Sequence, residues 1–188
     1  MRYQIVVVDS MKEPKIVIVD YDPSWQETFQ KEKQLILEVI GDYVLVIEHV
    51  GSTSIPYMAA KPVIDILVGV KTLRDAVHCI PKLEELGYEY LPGIESHVPN
   101  RRFFRKPPGE GKRTFQLHMK KYQGENWETQ ILFREYLRKH TETAREYEQM
   151  KKYMVKRFPN NEVAYGIGKE GFIFVILQRA KKEKKQKK

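Results

Sequence analysis

The segment HVGSTSIPYMAAKPVIDILVGV, His49 to Val70, decides how this 188-residue chain is read. Ahead of it, the apolar run Tyr43-Val-Leu-Val-Ile47 feeds a Gly51-Ser52 turn. After a short crossover, a second apolar run from Pro62 to Val70 is interrupted by a single carboxylate, Asp65. The turn offers free backbone N–H groups to an anion, and the carboxylate offers an oxygen ligand to a divalent cation. The order strand, turn, acid-bearing strand therefore suits chemistry on phosphates. Period-two alternation puts Val63, Asp65 and Leu67 on one face and Ile64, Ile66 and Val68 on the other. An acid in so apolar a strand is costly unless it is paired, hydrogen-bonded or metal-bound. Either a neighbouring arginine or a functional role accounts for Asp65.

Outward from this segment, the pattern is that of an α+β domain with one mixed sheet. Asp22 as N-cap and Pro23 at the first helical position open a helix that runs to Gly41, with Trp25, Phe29, Leu35 and Ile36 on its apolar side. Thr72 to Leu86 reads as a helix that Gly87 terminates, and Tyr88–Leu91 and Arg101–Lys106 as strands. Arg113 to Lys120 alternates: Phe115, Leu117 and Met119 on one face, Thr114, Gln116, His118 and Lys120 on the other. Three helices follow, Asn126–His140, Thr141–Phe158 with Thr141 as N-cap, and a last one into the basic tail. At the N-terminus, Gln4–Asp9 and Lys15–Asp20 are near-copies that read as two short strands of a hairpin, and Met11 is an alternative start. The domain plan is an extension at 1–14, one domain at 15–180 and a basic tail at 181–188.

Composition narrows the function classes. With 41% hydrophobic and 31% charged residues the chain is globular. It lacks a signal-peptide pattern and any run approaching the ~20 apolar residues of a membrane span, so a cytoplasmic location without membrane contact is expected. Cys79 alone excludes an internal disulfide and a cysteine-built zinc site, and it reads as a small buried hydrophobe. The net charge of +8 is unevenly placed, because six Lys and one Glu in 181–188 supply +5 of it. A run of this sort is a solvated helix end or tail, which makes nucleic acid an unfavoured partner.

Several side chains are candidates to complete a site. If the His118 strand neighbours the Asp65 strand, the two converge on one cation or one reacting hydroxyl. Glu48 and His49 precede the turn, and one of them points to the same mouth, as a ligand or as a turn-stabilising group. Lys61 precedes the acid strand, and Arg101, Arg102 and Arg105 lie on another. Arg134 and Arg138, four apart on a helix, either hold an acidic partner or a phosphate between them or form a solvated basic face. The aromatics Trp127, Tyr136, Tyr147, Tyr153 and Tyr165 read as packing groups. No nucleophile elbow, Walker loop or dinucleotide fingerprint is present.

Ile18-Val-Asp-Tyr-Asp-Pro-Ser-Trp25, Glu48-His-Val-Gly-Ser-Thr-Ser-Ile-Pro56 and Ala59-Ala-Lys-Pro-Val-Ile-Asp-Ile66, with Leu117-His118 and Phe133-Arg-Glu-Tyr-Leu-Arg138, resemble the GrpB family of the nucleotidyltransferase superfamily. Related domains occur fused to dephospho-CoA kinase. The resemblance runs from about Ile16 to Ile176 and implies a nucleotidyltransferase-like sheet. The superfamily pattern is a Gly followed by Gly or Ser, then two acids flanking an apolar residue, then a third acid from a later strand, the acids holding two divalent cations. Carried onto this chain, Gly51 and Ser52 match the turn and Asp65 the first acid. Leu67 stands in place of the second acid, and His118 in place of the third. Tyr57 replaces a usual Gly, and Gln116 a His of many relatives.

The resemblance thus implies one magnesium or transition-metal ion held by Asp65, His118 and Glu48, with His118 as ligand or general base. Gly51, Ser52, Thr53, Ser54 and Lys61 would hold the phosphates of a small nucleotide- or coenzyme-type ligand, and Arg134 and Arg138 would close its far side. The expected function is metal-assisted nucleotidyl or phosphoryl transfer; the alternative is a non-catalytic nucleotide-binding or partner-docking module on the same fold.

Overall fold

The computed structural model describes residues 15–95, 100–106 and 114–186. Five strands form one mixed sheet in the order β1-β2-β5-β4-β3: β1 Val44–Val50, β2 Ile64–Val70, β3 Glu89–Tyr90, β4 Arg102–Lys106 and β5 Phe115–Lys121. β2 and β5 run parallel at its centre, and the other neighbours pair antiparallel. The parallel pair places the Asp65 strand beside the His118 strand, as the sequence required for the two to meet.

One face of the sheet is closed by α1 (Ser24–Ile40) and α2 (Cys79–Glu85). Ile64, Ile66, Val68 and Val70 of β2 and Phe115, Leu117 and Met119 of β5 share a core there with Trp25, Phe29, Ile36, Ile40 and Leu83. α1 begins where expected: Asp22 Oδ1 accepts from the Ser24 amide at 2.8 Å, and Pro23 has helical dihedrals. Its buried stripe is Trp25, Phe29, Glu32, Ile36 and Ile40. Leu35 falls off that stripe and is exposed, because Glu32 is inward, accepting from Tyr88 Oη at 3.0 Å and Lys106 Nζ at 2.9 Å. Cys79 is a buried free thiol, raised to about 11 by loss of solvent.

The other face of the sheet meets α4 (Glu125–Lys139), and α5 (Thr141–Arg157) and α6 (Glu162–Gln186) pack with it. A short helix α3 (Pro92–Glu95) precedes β4. The expected helix over 72–86 divides into a 3-10 turn at Asp75–His78 and then α2. Thr141 is the first residue of α5 and makes no side-chain cap. Lys15–Asp20 is not a strand: only Val19 bridges, to Ala60, while the Ile16 amide donates to Pro159 O at 2.7 Å. The copy at Gln4–Asp9, and so the hairpin and the 1–14 extension, lie outside the described residues. α6 carries the basic run as helix to Gln186, held to α4 by Glu183, which accepts from His140 Nε2 at 2.7 Å and from Lys139. No described helix is long and apolar enough to cross a membrane.

Candidate functional site

Register assigns the second face of the sheet residue by residue. Val50 lies opposite Asp65 and Glu48 opposite Leu67 across β1–β2, while Asp65 neighbours Gln116 and Leu67 neighbours His118 across β2–β5. Asp65 Oδ1 is 3.6 Å from His118 Nε2. Its other oxygen packs on the Cα of Gly51, where a Cβ would stand 2.1 Å from Oδ2. Gly51 has φ +70°, so the turn needs glycine twice: for its left-handed backbone and for the approach of the carboxylate.

His118 is held on both sides. Its Nδ1 lies 3.3 Å from Arg101 Nη1, and its ring leans on Phe103 at 5.0 Å. A guanidinium only donates, so Nδ1 is the acceptor and the ring proton sits on Nε2, facing Asp65. Burial, partly opposed by the Asp65 carboxylate, keeps this imidazole below its ordinary value and therefore neutral.

Gly51, Ser52, Lys61, Asp65 and His118 line one cavity of about 440 Å³, and the structure brings these five expected residues together. α5 and α6 supply groups that the sequence reading took for packing or passed over. Tyr147 and Tyr165 stand in the wall, each beneath a lysine one helical turn on: Lys151 Nζ is 5.1 Å from the Tyr147 ring centre and Lys169 Nζ 4.3 Å from that of Tyr165. The spacing Tyr-x-x-x-Lys, at 147–151 and again at 165–169, was the legible signal for both. Tyr147 is hydrogen-bonded to Ser52, and its hydroxyl is raised chiefly by burial. Burial also pushes Tyr165 up to about 12, with the Asp65 charge adding to it. Lys151 donates to Ala59 O at 2.6 Å and is lowered to about 7, mainly by desolvation. Lys169 is lowered by desolvation against the opposing pull of Asp65. Lys61 is paired with Glu162 at 2.7 Å. Further along, Phe133, Ile173 and Leu177 add an apolar stretch to the lining, beside Thr129 and Gln130.

The remaining expected residues build the turn and do not line the cavity. Thr53 donates to Val63 O at 3.2 Å and Ser54 to Gly51 O at 2.7 Å, so both hydroxyls are used within the loop. His49 turns to the core face, stacked on Phe29 at 4.7 Å and bonded to Thr53 Oγ1 at 3.0 Å, and burial lowers it to about 4. Arg134 is only 8% exposed; it donates to Glu48 and to His49 O, both at 2.7 Å, and to Glu135 at 2.7 Å. Arg138 donates to Ser54 O from Nε at 3.1 Å and Nη2 at 2.8 Å, and to the same Glu135 oxygen at 3.3 Å. The group between the two arginines is thus the acid Glu135, and both guanidinium forks grip the turn from behind.

The expected metal residues Asp65, His118 and Glu48 do not form one three-ligand cluster. Glu48 is held by Arg134 and the Nε2 of His118 carries a proton. Among the described residues no three His, Cys, Asp or Glu side chains converge where they could hold a cation. Leu67, fully buried, packs with Val50 and Trp127 where a second acid would stand. Asp65 remains as one carboxylate, which fits a magnesium ion that takes its other ligands from phosphate oxygens and water. Of the basic strand residues, Arg102 pairs with Glu95 at 2.8 Å and Arg105 with Glu89, leaving Arg101 at His118.

The similarities to known proteins agree with this architecture. The family described as "GrpB protein" matches residues 15–179. UPF0157 protein YqkA of Bacillus subtilis is 37% identical over 171 residues, 91% of this chain, which spans about half (49%) of that protein's length. Glutamate-rich protein GrpB of Alkalihalophilus pseudofirmus is 36% identical over 87% of this chain and 94% of its own. A stretch of 84 residues, 43% of this chain, is 34% identical to 21% of a dephospho-CoA kinase of Mycolicibacterium paratuberculosis. The crystal structure of conserved protein GrpB from Enterococcus faecalis superposes with a TM-score of 0.80 at 33% identity, over 89% of this chain and 98% of that one. Cid1 poly(U) polymerase bound to MgATP gives a TM-score of 0.52 at 16% identity, over 80% of this chain and 50% of that one, a likeness of fold. The fold is nucleotidyltransferase-like, and the chain belongs to the GrpB family.

Proposed function

We propose that the cavity binds the phosphate chain of a small nucleotide- or coenzyme-type ligand between the Gly51-Ser52 turn and the lysines of α5 and α6. One observation carries this reading: Lys151 and Lys169 line one cavity together with that turn, each held over a tyrosine. Lysine is a compact charge suited to phosphate oxygens. Desolvation disfavours both ammonium groups, and an anion between them would offset that cost. Ser52 adds a hydroxyl. The less polar stretch along Phe133, Ile173 and Leu177 suits the organic body of such a ligand. Asp65 would share a divalent cation with the phosphates; that cation, when bound, would neutralise phosphate charge.

Nucleotidyl or phosphoryl transfer is the stronger form of the proposal, and binding without turnover is the weaker. Two features favour the weaker form. Leu67 belongs to the core, and His118 presents a protonated Nε2 to the site, where a general base would need a free nitrogen.

Titration calorimetry with ATP and with coenzyme A, each with and without magnesium, tests the reading. Lys169→Gln is expected to weaken the binding nucleotide about tenfold, the loss of one charge-assisted contact. Asp65→Asn is expected to remove the magnesium dependence and any turnover. Nucleotide affinity unchanged in Lys169→Gln would refute the site. Turnover surviving Asp65→Asn would refute the role given to the acid.

A further inference from the structure

A second group of cations stands on the same sheet face but outside the cavity lining. Arg102 pairs with Met119 across β4–β5 and Phe103 with His118, so Arg101 and Lys120 continue the face of Phe103 and His118 from the two strands. Like charges opposite one another on a sheet are unfavourable unless something lies between them. No carboxylate ion pair holds either of them among the described residues. Lys120 Nζ donates to the backbone carbonyl of Asn126 at 3.1 Å, and Glu95, the acid whose charge acts on Arg101, bonds Arg102. Arg101 rests 4.9 Å over the Phe103 ring and gives Nη1 to His118, while its buried Nε has no acceptor among the described residues. A buried donor of a charged fork without an acceptor is a costly feature that folding alone does not explain.

We propose that Arg101 and Lys120 form a second anion subsite, on the far side of His118 from the lysine wall, that takes a phosphate monoester group of a second ligand. The charge fits: two cations beside a neutral imidazole match a dianion, and Glu95, the acid whose charge reaches Arg101, is already paired with Arg102. Arg101 is half-buried and Lys120 is buried. Arg101 therefore has two duties, since it also sets the tautomer of His118. The chain then has two anion sites separated by the Asp65–His118 pair, the arrangement for two phosphate-bearing ligands meeting at one carboxylate.

The test is inorganic phosphate titrated into the full chain by calorimetry at low salt, with ATP titrated separately. Arg101→Gln and Lys120→Met are each expected to weaken phosphate about tenfold, with ATP affinity unchanged in Lys120→Met. Circular dichroism and thermal melting check that both variants fold, and Arg101→Lys, which keeps the charge, is expected to recover part of the loss. Phosphate affinity unchanged in both folded variants overturns the proposal, as does a loss that appears only in Lys169→Gln. Absence of ATP binding with the phosphate effect intact would defeat the cavity reading and leave this subsite standing.

Discussion

The two faces of the β2–β5 pair are made from alternating residues of the same two strands, and they obey different rules. On the face toward α1 and α2, every residue from Ile64 to Val70 and from Phe115 to Met119 is apolar and buried in one core. On the face toward α4, Asp65, Gln116, His118 and Lys120 are interleaved with Leu67; Asp65 meets His118, His118 meets Arg101, and Lys120 donates to the Asn126 carbonyl. The first face is specified by period and volume, which any suitable apolar residue satisfies. The second depends on particular partners, so it tolerates little exchange without a change in what the cavity can do.

An acid placed on each face tests the contrast most severely. Ile66→Asp puts a charge among Trp25, Phe29 and Leu117 with no donor to meet it, and the chain is expected not to fold. Leu67→Asp restores the spacing of paired acids, yet Leu67 is enclosed by Val50 and Trp127 and lies opposite Glu48. The expected result is a folded protein weakened by about 3 kcal/mol in urea denaturation, from lost apolar burial and a poorly solvated carboxylate. Magnesium is expected to recover little of it. A Leu67→Asp protein of wild-type stability that gains tight magnesium binding would show instead that this face is a two-acid site missing one side chain.

The next contrast is between arginines that build the turn and lysines that face the cavity. Arg134→Met leaves Glu48 and the His49 carbonyl without their donor, a cost of about 2–3 kcal/mol for a buried ion pair broken from one side. Phosphate-ligand affinity of the folded fraction is expected to stay within about twofold of the parent, well under 1 kcal/mol. A large loss of affinity at unchanged stability would reassign Arg134 to the ligand.

These assignments mark what was legible in the chain. The alternation of β2 and β5, the Gly51-Ser52 turn and the start of α1 are local signals, and each appears in the fold. Residue type alone could not place Arg134 or Arg138, because their partners Glu48 and Ser54 are 86 and 84 residues away, and only packing of α4 on β1 joins them. Thr53 and Ser54 matched a phosphate-binding turn by type, but their hydroxyls close the turn itself, an economy of short loops that sequence cannot distinguish from ligand contact. Lys151 and Lys169 sit on helices whose polar residues look solvated in sequence. The burial of Lys151 and the partial burial of Lys169 follow from three helices converging on one cavity, and only the repeated Tyr-x-x-x-Lys spacing hinted at it.

A last contrast is a pH dependence that separates Lys151 from ordinary surface lysines. Folded Lys151 is lowered to about 7, and the unfolded side chain keeps the ordinary value of 10.5. Between these limits the unfolded chain binds more protons than the folded one, so stability rises as pH rises from about 7 toward 10.5 and is lost on the way down. Lys120, lowered to about 8, and Lys169, also lowered, act in the same direction. One group contributes at most about 1.4 kcal/mol per pH unit. Urea midpoints at pH 7, 8 and 9 should therefore climb in the parent and climb less in Lys151→Met, whose burial at 2% exposure is then apolar throughout. Equal slopes in the two proteins would mean that the ammonium is fully charged in the fold, already stabilised by its carbonyl partner and the Tyr147 ring, and the cavity would then present a permanent cation to its ligand.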